Sequence, residues 1–175
     1  GSHGMPDLRQ TDPLQLARAF HPSELAPAGL QPEDYARSFL QSLNVDGDGP
    51  AIIKDVMGER IVVGMDLFQT PDGRWKTLKQ DRGRYMPLLA RAFLEPDEIW
   101  VRVEWLYAQQ RAVVRRRYVA AFDLEGHDTA GLAVFDLGPD GWTGVTTFQG
   151  TSQSWDDWRV GARLYQRVKT ANRNE

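Results

Sequence analysis

A chain of 175 residues, 41% hydrophobic and 26% charged, fits one soluble domain that buries roughly two-thirds of the surface its unfolded form exposes. It has no cysteine and three histidines, one of them in a stretch that reads as a cloning remnant over residues 1–4. Disulfides, thiolate nucleophiles and cysteine-ligated zinc are therefore excluded, and a histidine-rich metal site is not expected. No apolar run approaches the ~20 residues that span a bilayer. The formal charge of −3 is unevenly spread: residues 74–117 hold 11 Lys+Arg against 5 Asp+Glu, while residues 1–73 hold 5 against 11. Such a concentration of cations in an acidic chain points to a local anion site rather than a general polyanion coat.

The first stretch, residues 5–50, reads as a helical N-terminal extension. Asp12-Pro13 offers a cap and a proline start, with Leu14, Ala17 and Phe20 following at helical spacing. Gln31-Pro32-Glu33-Asp34 opens a second helix, whose apolar stripe is Tyr35, Phe39, Leu40 and Leu43. Residues 44–50 mix Asp, Gly and Pro but lack the length and closing glutamate of a calcium loop, so they read as a solvated turn. Residues 51–56 and 61–67 form a predicted hairpin, and Pro71-Asp72-Gly73 a turn. An amphipathic helix is predicted over 76–93, closed by Glu95-Pro96-Asp97.

From residue 99 the hydrophobic period changes to two. Ile99, Val101, Val103, Trp105 and Tyr107 share one face; Trp100, Arg102 and Glu104 share the other. The next strand places Ala112, Val114, Arg116, Tyr118, Ala120 and Phe122 on one side, with Arg111, Val113, Arg115, Arg117 and Val119 opposite. Strands over 132–137 and 142–149 follow, and the alternation over 158–168 predicts another. In that last one Arg159, Gly161, Arg163, Tyr165 and Arg167 would share a face. Helices followed by consecutive strands with short links indicate an α+β architecture with an antiparallel sheet.

Arg115 and Arg117 project the same way, about 7 Å apart along the strand, a spacing that suits two phosphate oxygens. Arg116 points to the apolar face and is predicted to be structural. The plainer alternative is a solvated face on which arginines pair with Glu104. Lys76, Lys79, Arg82 and Arg84 cluster at the predicted helix start, a favourable place for an anion and equally an ordinary charged surface. Thr147, Gln149 and Ser152 lie in a hydroxyl-rich stretch around Phe148, which suits phosphate and base contacts, although β-propensity explains the threonines as well. His127 sits alone in an acidic loop and reads as a surface residue.

The order of these motifs resembles the phage-type barnase/EndoU/colicin/RelE-like (BECR) nuclease domains found at the C-termini of MuF-like phage proteins and in polymorphic toxins. The resemblance runs over about 55–168. It is carried by Trp75-Lys76-x-x-Lys79-x-x-Arg82-x-Arg84-Tyr85, Glu95-Pro96-Asp97-Glu98-Ile99-Trp100, Arg115-Arg116-Arg117-Tyr118, Thr146-Thr147-Phe148 and Arg159-x-Gly161-x-x-Leu164-Tyr165. It implies a nuclease domain over 51–175, with helices followed by an antiparallel sheet of four to five strands and a site on the sheet's open face. The implied activity is an endoribonuclease, with tRNA among its candidate substrates, working without metal or cofactor through attack of the 2′-hydroxyl to give a 2′,3′-cyclic phosphate. Arg115, Arg117 and Lys79 would then stabilise the phosphorane, Glu104 would be the base, and Tyr165 or His127 the acid. Lys76, Arg82, Arg84, Thr147, Gln149, Ser152, Arg159 and Arg163 would hold RNA. The resemblance also implies a toxin acting in the bacterial cytoplasm after delivery, a cognate immunity protein as partner, and no membrane association. Three other readings compete: a non-catalytic RNA- or phosphate-binding domain, an ADP-ribosyltransferase, and a structural phage component. The Glu-x-Glu or Gln-x-Glu loop expected of the transferase is missing after Thr151-Ser152.

Overall fold

The structure is a computed structural model and describes residues 17–76, 82–125, 131–139, 141–147 and 156–167, with backbone alone at 82 and 141–147. Strand β1 (Arg18–Phe20) precedes helix α1 (Pro32–Ser42), the hairpin β2 (Ala51–Lys54) and β3 (Arg60–Val63), and helix α2 (Met86–Leu94). Five strands follow: β4 (Glu98–Leu106), β5 (Arg111–Leu124), β6 (Gly131–Gly138), β7 (Gly141–Thr147) and β8 (Ala162–Gln166). The main sheet runs β7-β6-β5-β4-β8, antiparallel at every step, and β1 adds in parallel beside the end of β5. The α+β class and antiparallel meander agree with the alternation read from the sequence.

One face of this sheet carries the core. Ile99, Tyr118, Ala120, Phe122, Ala133 and Phe135 project from it into the layer made by the helices. Phe39 of α1 stacks on Phe135 at 5.2 Å and meets Phe68 edge-on at 5.2 Å, while Phe93 of α2 packs edge-on against Tyr118 at 4.8 Å. Truncating any of these buried rings to alanine would cost about 3–5 kcal/mol, since transfer and cavity effects add. Helix α1 thus packs in the sheet's own core, on the far side of the domain boundary expected at residue 51. On the opposite, open face a smaller buried cluster is formed by Trp100, Val119, Ala121, Leu132 and Val134.

Three expectations are corrected. The spacing of Leu14, Ala17 and Phe20 predicted a helix, but Arg18–Phe20 is a strand whose partners are Phe122, Asp123 and Leu124. Pairing with a distant strand, together with burial of Phe20 against Phe122 at 5.8 Å, overrides local periodicity here. The helix predicted over 76–93 begins only at Met86, with Pro87 in its first turn, after a 3-10 turn over Arg82–Tyr85. Lys76 is not helical: its N–H bonds the Phe68 carbonyl at 2.8 Å, next to the bridge between Gln69 and Trp75.

The third correction concerns the C-terminal strand, which occupies only Ala162–Gln166. Its pairing with β4 shifts register between Ile99 and Trp100, so that Tyr165 faces Ile99 while Arg163 faces Trp100. Arg163 and Tyr165 consequently leave the sheet on opposite sides instead of sharing one. Beyond Val101 and Arg116 the β4–β5 hairpin also outruns both neighbours. It projects as an arm on which Val103, Trp105, Tyr107 and Val114 are exposed.

Candidate active site

The open face is built from the arginine–carboxylate alternation of β4, β5 and β6. Antiparallel register sets Arg102 opposite Arg115, Trp100 opposite Arg117, and Arg117 opposite Asp136. Arg163 joins from β8 beside Trp100, and Arg159 reaches in from the segment before it. Arg102, Arg115, Arg117, Arg159 and Arg163 therefore meet Glu98, Glu104 and Asp136 on this face, and Asp156 adds a fourth carboxylate 3.4 Å from Arg159. Arginine stays charged at any physiological pH, so these five guanidinium groups outnumber by one the four carboxylates they meet among the described residues.

The Glu95-to-Trp100 stretch organises it. Asp97 is buried at the head of β4; its Oδ2 accepts the Ala121 N–H at 2.8 Å, its Oδ1 accepts Arg167 Nε at 2.6 Å, and Arg18 stands at 3.5 Å. It therefore ties β1, β4, β5 and the end of β8 together. Glu98 turns to the open face, where Arg159 grips it with two parallel bonds, Nε to Oε1 and Nη2 to Oε2, both at 2.8 Å. The Trp100 indole donates to the same Oε1 at 2.8 Å, and Arg163 approaches Oε2 at 3.6 Å. Glu98 thus accepts three of the roughly four hydrogen bonds a carboxylate can take, at least one on each oxygen, which makes it an anchor.

At the centre, Arg117 donates Nε to Asp136 Oδ2 at 3.0 Å, and the Trp158 ring covers its guanidinium at 5.1 Å. Both side chains are buried. Asp136 Oδ1 is fully enclosed and, among the described residues, has no hydrogen-bond partner. Nearer the arm, Arg115 Nε donates to Glu104 and Arg102 lies 3.9 Å from the same oxygen. Glu104 is only one-third exposed.

The predicted site residues thus separate into groups. Arg115, Arg117, Glu104, Arg159 and Arg163 come together on the open face, although every one of them is ion-paired. Tyr165 lies on the other side, packed against the helix-side core, so the register shift takes it away from the arginines. Arg84 also lies away from them: its Nε bonds the Ala26 carbonyl at 3.2 Å and its own carbonyl receives the Ala26 N–H at 2.9 Å. Lys76 belongs to the loop that packs back on Phe68. Thr147 ends β7, two strands from β5, with only its backbone described. Lys79, His127, Gln149 and Ser152 fall outside the described residues, as does the side chain of Arg82.

Arg116 does what its face predicted. It pairs with buried Asp55 at 3.5 Å, and the Tyr118 hydroxyl donates to the same Oδ2 at 2.6 Å. Asp55 Oδ1 meanwhile accepts the N–H groups of Met57 and Glu59, each at 2.9 Å, and so fixes the β2–β3 turn. Burial pushes the Tyr118 phenol well above its ordinary value of 10, and the Asp55 carboxylate pushes it the same way.

Sequence reasoning missed Asp97, Glu98, Asp136 and Trp158. The signal for Asp136 was present: an acid in the middle of Leu132-Ala-Val-Phe-Asp-Leu137 has to be buried, and a buried carboxylate needs a cation. A cleft of about 610 Å³ away from this face is bordered by Arg60, Asp66, Thr70 and Leu137.

A helix-backed antiparallel sheet with an arginine-rich open face makes this an α+β domain. The chain belongs to the phage-Barnase-EndoU-ColicinE5/D-RelE like nuclease 2 family (PBECR2), whose family model matches residues 38–166. That match begins inside α1 and ends with the last residue of β8. No curated protein and no solved structure matches the chain.

Proposed function

We propose that the protein is a metal-independent endoribonuclease that cleaves RNA by attack of the neighbouring 2′-hydroxyl, as a toxin module of phage or interbacterial origin. The observation that carries this reading is the excess of guanidinium over carboxylate on the open sheet face of a chain in this nuclease family. Arg115 and Arg163 stand at the margins of that face, and Arg117 at its centre. A pre-aimed cation that meets charge developing on a phosphorane supplies on the order of 3 kcal/mol of transition-state stabilisation. With several arginines in place, the chemistry asks only for a base at the 2′ oxygen and a proton for the leaving 5′ oxygen. The reading keeps Lys79 as a further cation and tRNA as the first substrate to try.

End-labelled tRNA incubated with the protein in EDTA is expected to give fragments ending in 2′,3′-cyclic phosphate. Intact RNA, or cleavage that requires added magnesium, overturns the proposal. Salt-dependent binding without turnover would mark a non-catalytic RNA-binding domain instead.

A further inference from the structure

We propose that Asp136 is the general base, accepting the 2′-hydroxyl proton on Oδ1 in a centre formed with Arg117 and Trp158. The inference rests on the ribonuclease reading above and assigns the proton acceptor within it.

The carboxylates of the open face differ in what their oxygens already hold. Each oxygen of Glu98 accepts a bond from Arg159, and Trp100 adds a second on one of them. Glu104 is drawn between Arg115 and Arg102 at the base of the arm. Asp136 spends one oxygen on Arg117 and keeps the other enclosed, without a donor among the described residues. Leaving a buried acceptor unsatisfied costs on the order of 1–3 kcal/mol, and such groups persist where another role requires them. A vacant lone pair beside a guanidinium is what proton abstraction next to a phosphate needs.

The geometry extends this. Arg117 binds Asp136 through Nε, and among the described residues its Nη groups have no hydrogen-bond acceptor. They remain available as a fork for two phosphate oxygens once the ring above them moves. That ring is Trp158, in the irregular segment between exposed Asp156 and half-exposed Val160, whereas Arg159 anchors the segment on Glu98. Displacement of Trp158 would uncover the Arg117 guanidinium beside Asp136 without breaking the Arg159–Glu98 grip. In the reaction, the 2′-oxygen bonds to phosphorus as its proton passes to Asp136 Oδ1. The bond from phosphorus to the 5′-oxygen breaks, and that oxygen takes a proton from solvent. The products are a 2′,3′-cyclic phosphate and a 5′-hydroxyl.

The test compares wild type, Asp136→Asn and Glu104→Gln on labelled RNA in EDTA, with each variant's melting midpoint measured. Asp136→Asn keeps the shape and removes the base, so kcat should fall about 10²–10⁴-fold, with KM within about threefold. Wild-type kcat in Asp136→Asn, or a loss of that size in Glu104→Gln alone, overturns the assignment and leaves the ribonuclease reading standing. An inert wild-type protein overturns both. If Asp136→Asn is unfolded at the assay temperature, Asp136→Glu decides. A base displaced by one methylene should lower kcat by at least about tenfold with RNA affinity retained, and wild-type kcat in that variant overturns the proposal.

Discussion

Arg159 and Glu98 face each other fork to fork, with two 2.8 Å bonds and both side chains under 5% exposed. This pair fastens the segment that carries Trp158 to the first residue of β4. A buried pair of this kind is marginal as a net stabiliser, because desolvation offsets most of the Coulomb attraction. Loss of one partner is another matter, since the survivor is left charged and buried. Arg159→Met is expected to lower the unfolding free energy by about 3–5 kcal/mol. Urea midpoints check it, and Arg159→Met combined with Glu98→Leu should recover part of that loss. A single-variant loss under about 1 kcal/mol would mean the pair is solvated in solution.

The same pairing decides how RNA affinity responds to salt. Arg115 sits at the margin of the face, and its partner Glu104 is one-third exposed, so a phosphate competes for it more readily than for Arg117 or Arg159. Arg115→Gln should weaken binding to single-stranded RNA and reduce the slope of log affinity against log salt by about 0.7, one phosphate contact. Fluorescence anisotropy at several salt concentrations reads both quantities. An unchanged slope would remove Arg115 from the RNA-binding surface.

Much of this arrangement could be read from alternation alone. The two faces of β4 and β5 follow from period-two spacing, because a strand under a helical layer has one dry side, and Arg116 was placed correctly for the same reason. What alternation could not show is a change of register. The shift opposite Ile99 and Trp100 sends Tyr165 into the helix side and Arg163 to the open face, and nothing in their own sequence marks it. Arg18–Phe20 was illegible for a different reason: three residues carry too little period, and their strand character comes entirely from Phe122–Leu124. The acids Asp97 and Glu98 stand in a recognised motif, yet Arg167 and Arg159, the arginines that donate to them, lie 70 and 61 residues away.

Gly161 sits where the chain passes close to β4 at this end of the site. Its φ of +99° is a conformation that side chains avoid, and a Cβ there would sit 2.3 Å from the Val101 carbonyl oxygen and 2.9 Å from Arg102 Cβ. Gly161→Ala therefore combines backbone strain of about 1–3 kcal/mol with an overlap that only a shift of β8 away from β4 can relieve. We expect a clear drop in melting temperature together with lost cleavage, because Arg159 and Arg163 flank the displaced residue. Hydrogen exchange should localise the opening to β8 and the adjoining half of β4. A variant as stable as wild type would show that the close approach is relaxed in solution.

The Tyr118–Asp55–Arg116 cluster gives the fold an alkaline limit. In the folded protein the Tyr118 phenol is pushed well above its ordinary value of 10, by burial first and by Asp55 second, whereas in the unfolded chain it titrates near that ordinary value. Below pH 10 both states hold the proton, and the contribution to stability is fully present. Above it the unfolded state releases a proton that the folded state retains, so stability falls by up to about 1.4 kcal/mol per pH unit from this residue. Tyr118→Phe should remove that part of the alkaline slope. It should also cost about 1.5–3 kcal/mol at neutral pH, because Asp55 Oδ2 loses its 2.6 Å donor. Urea melts of both proteins between pH 8 and 11 test the two effects together. Parallel stability curves across that range would show that Tyr118 ionises as easily folded as unfolded, and that Asp55 is held by Arg116 and the β2–β3 turn alone.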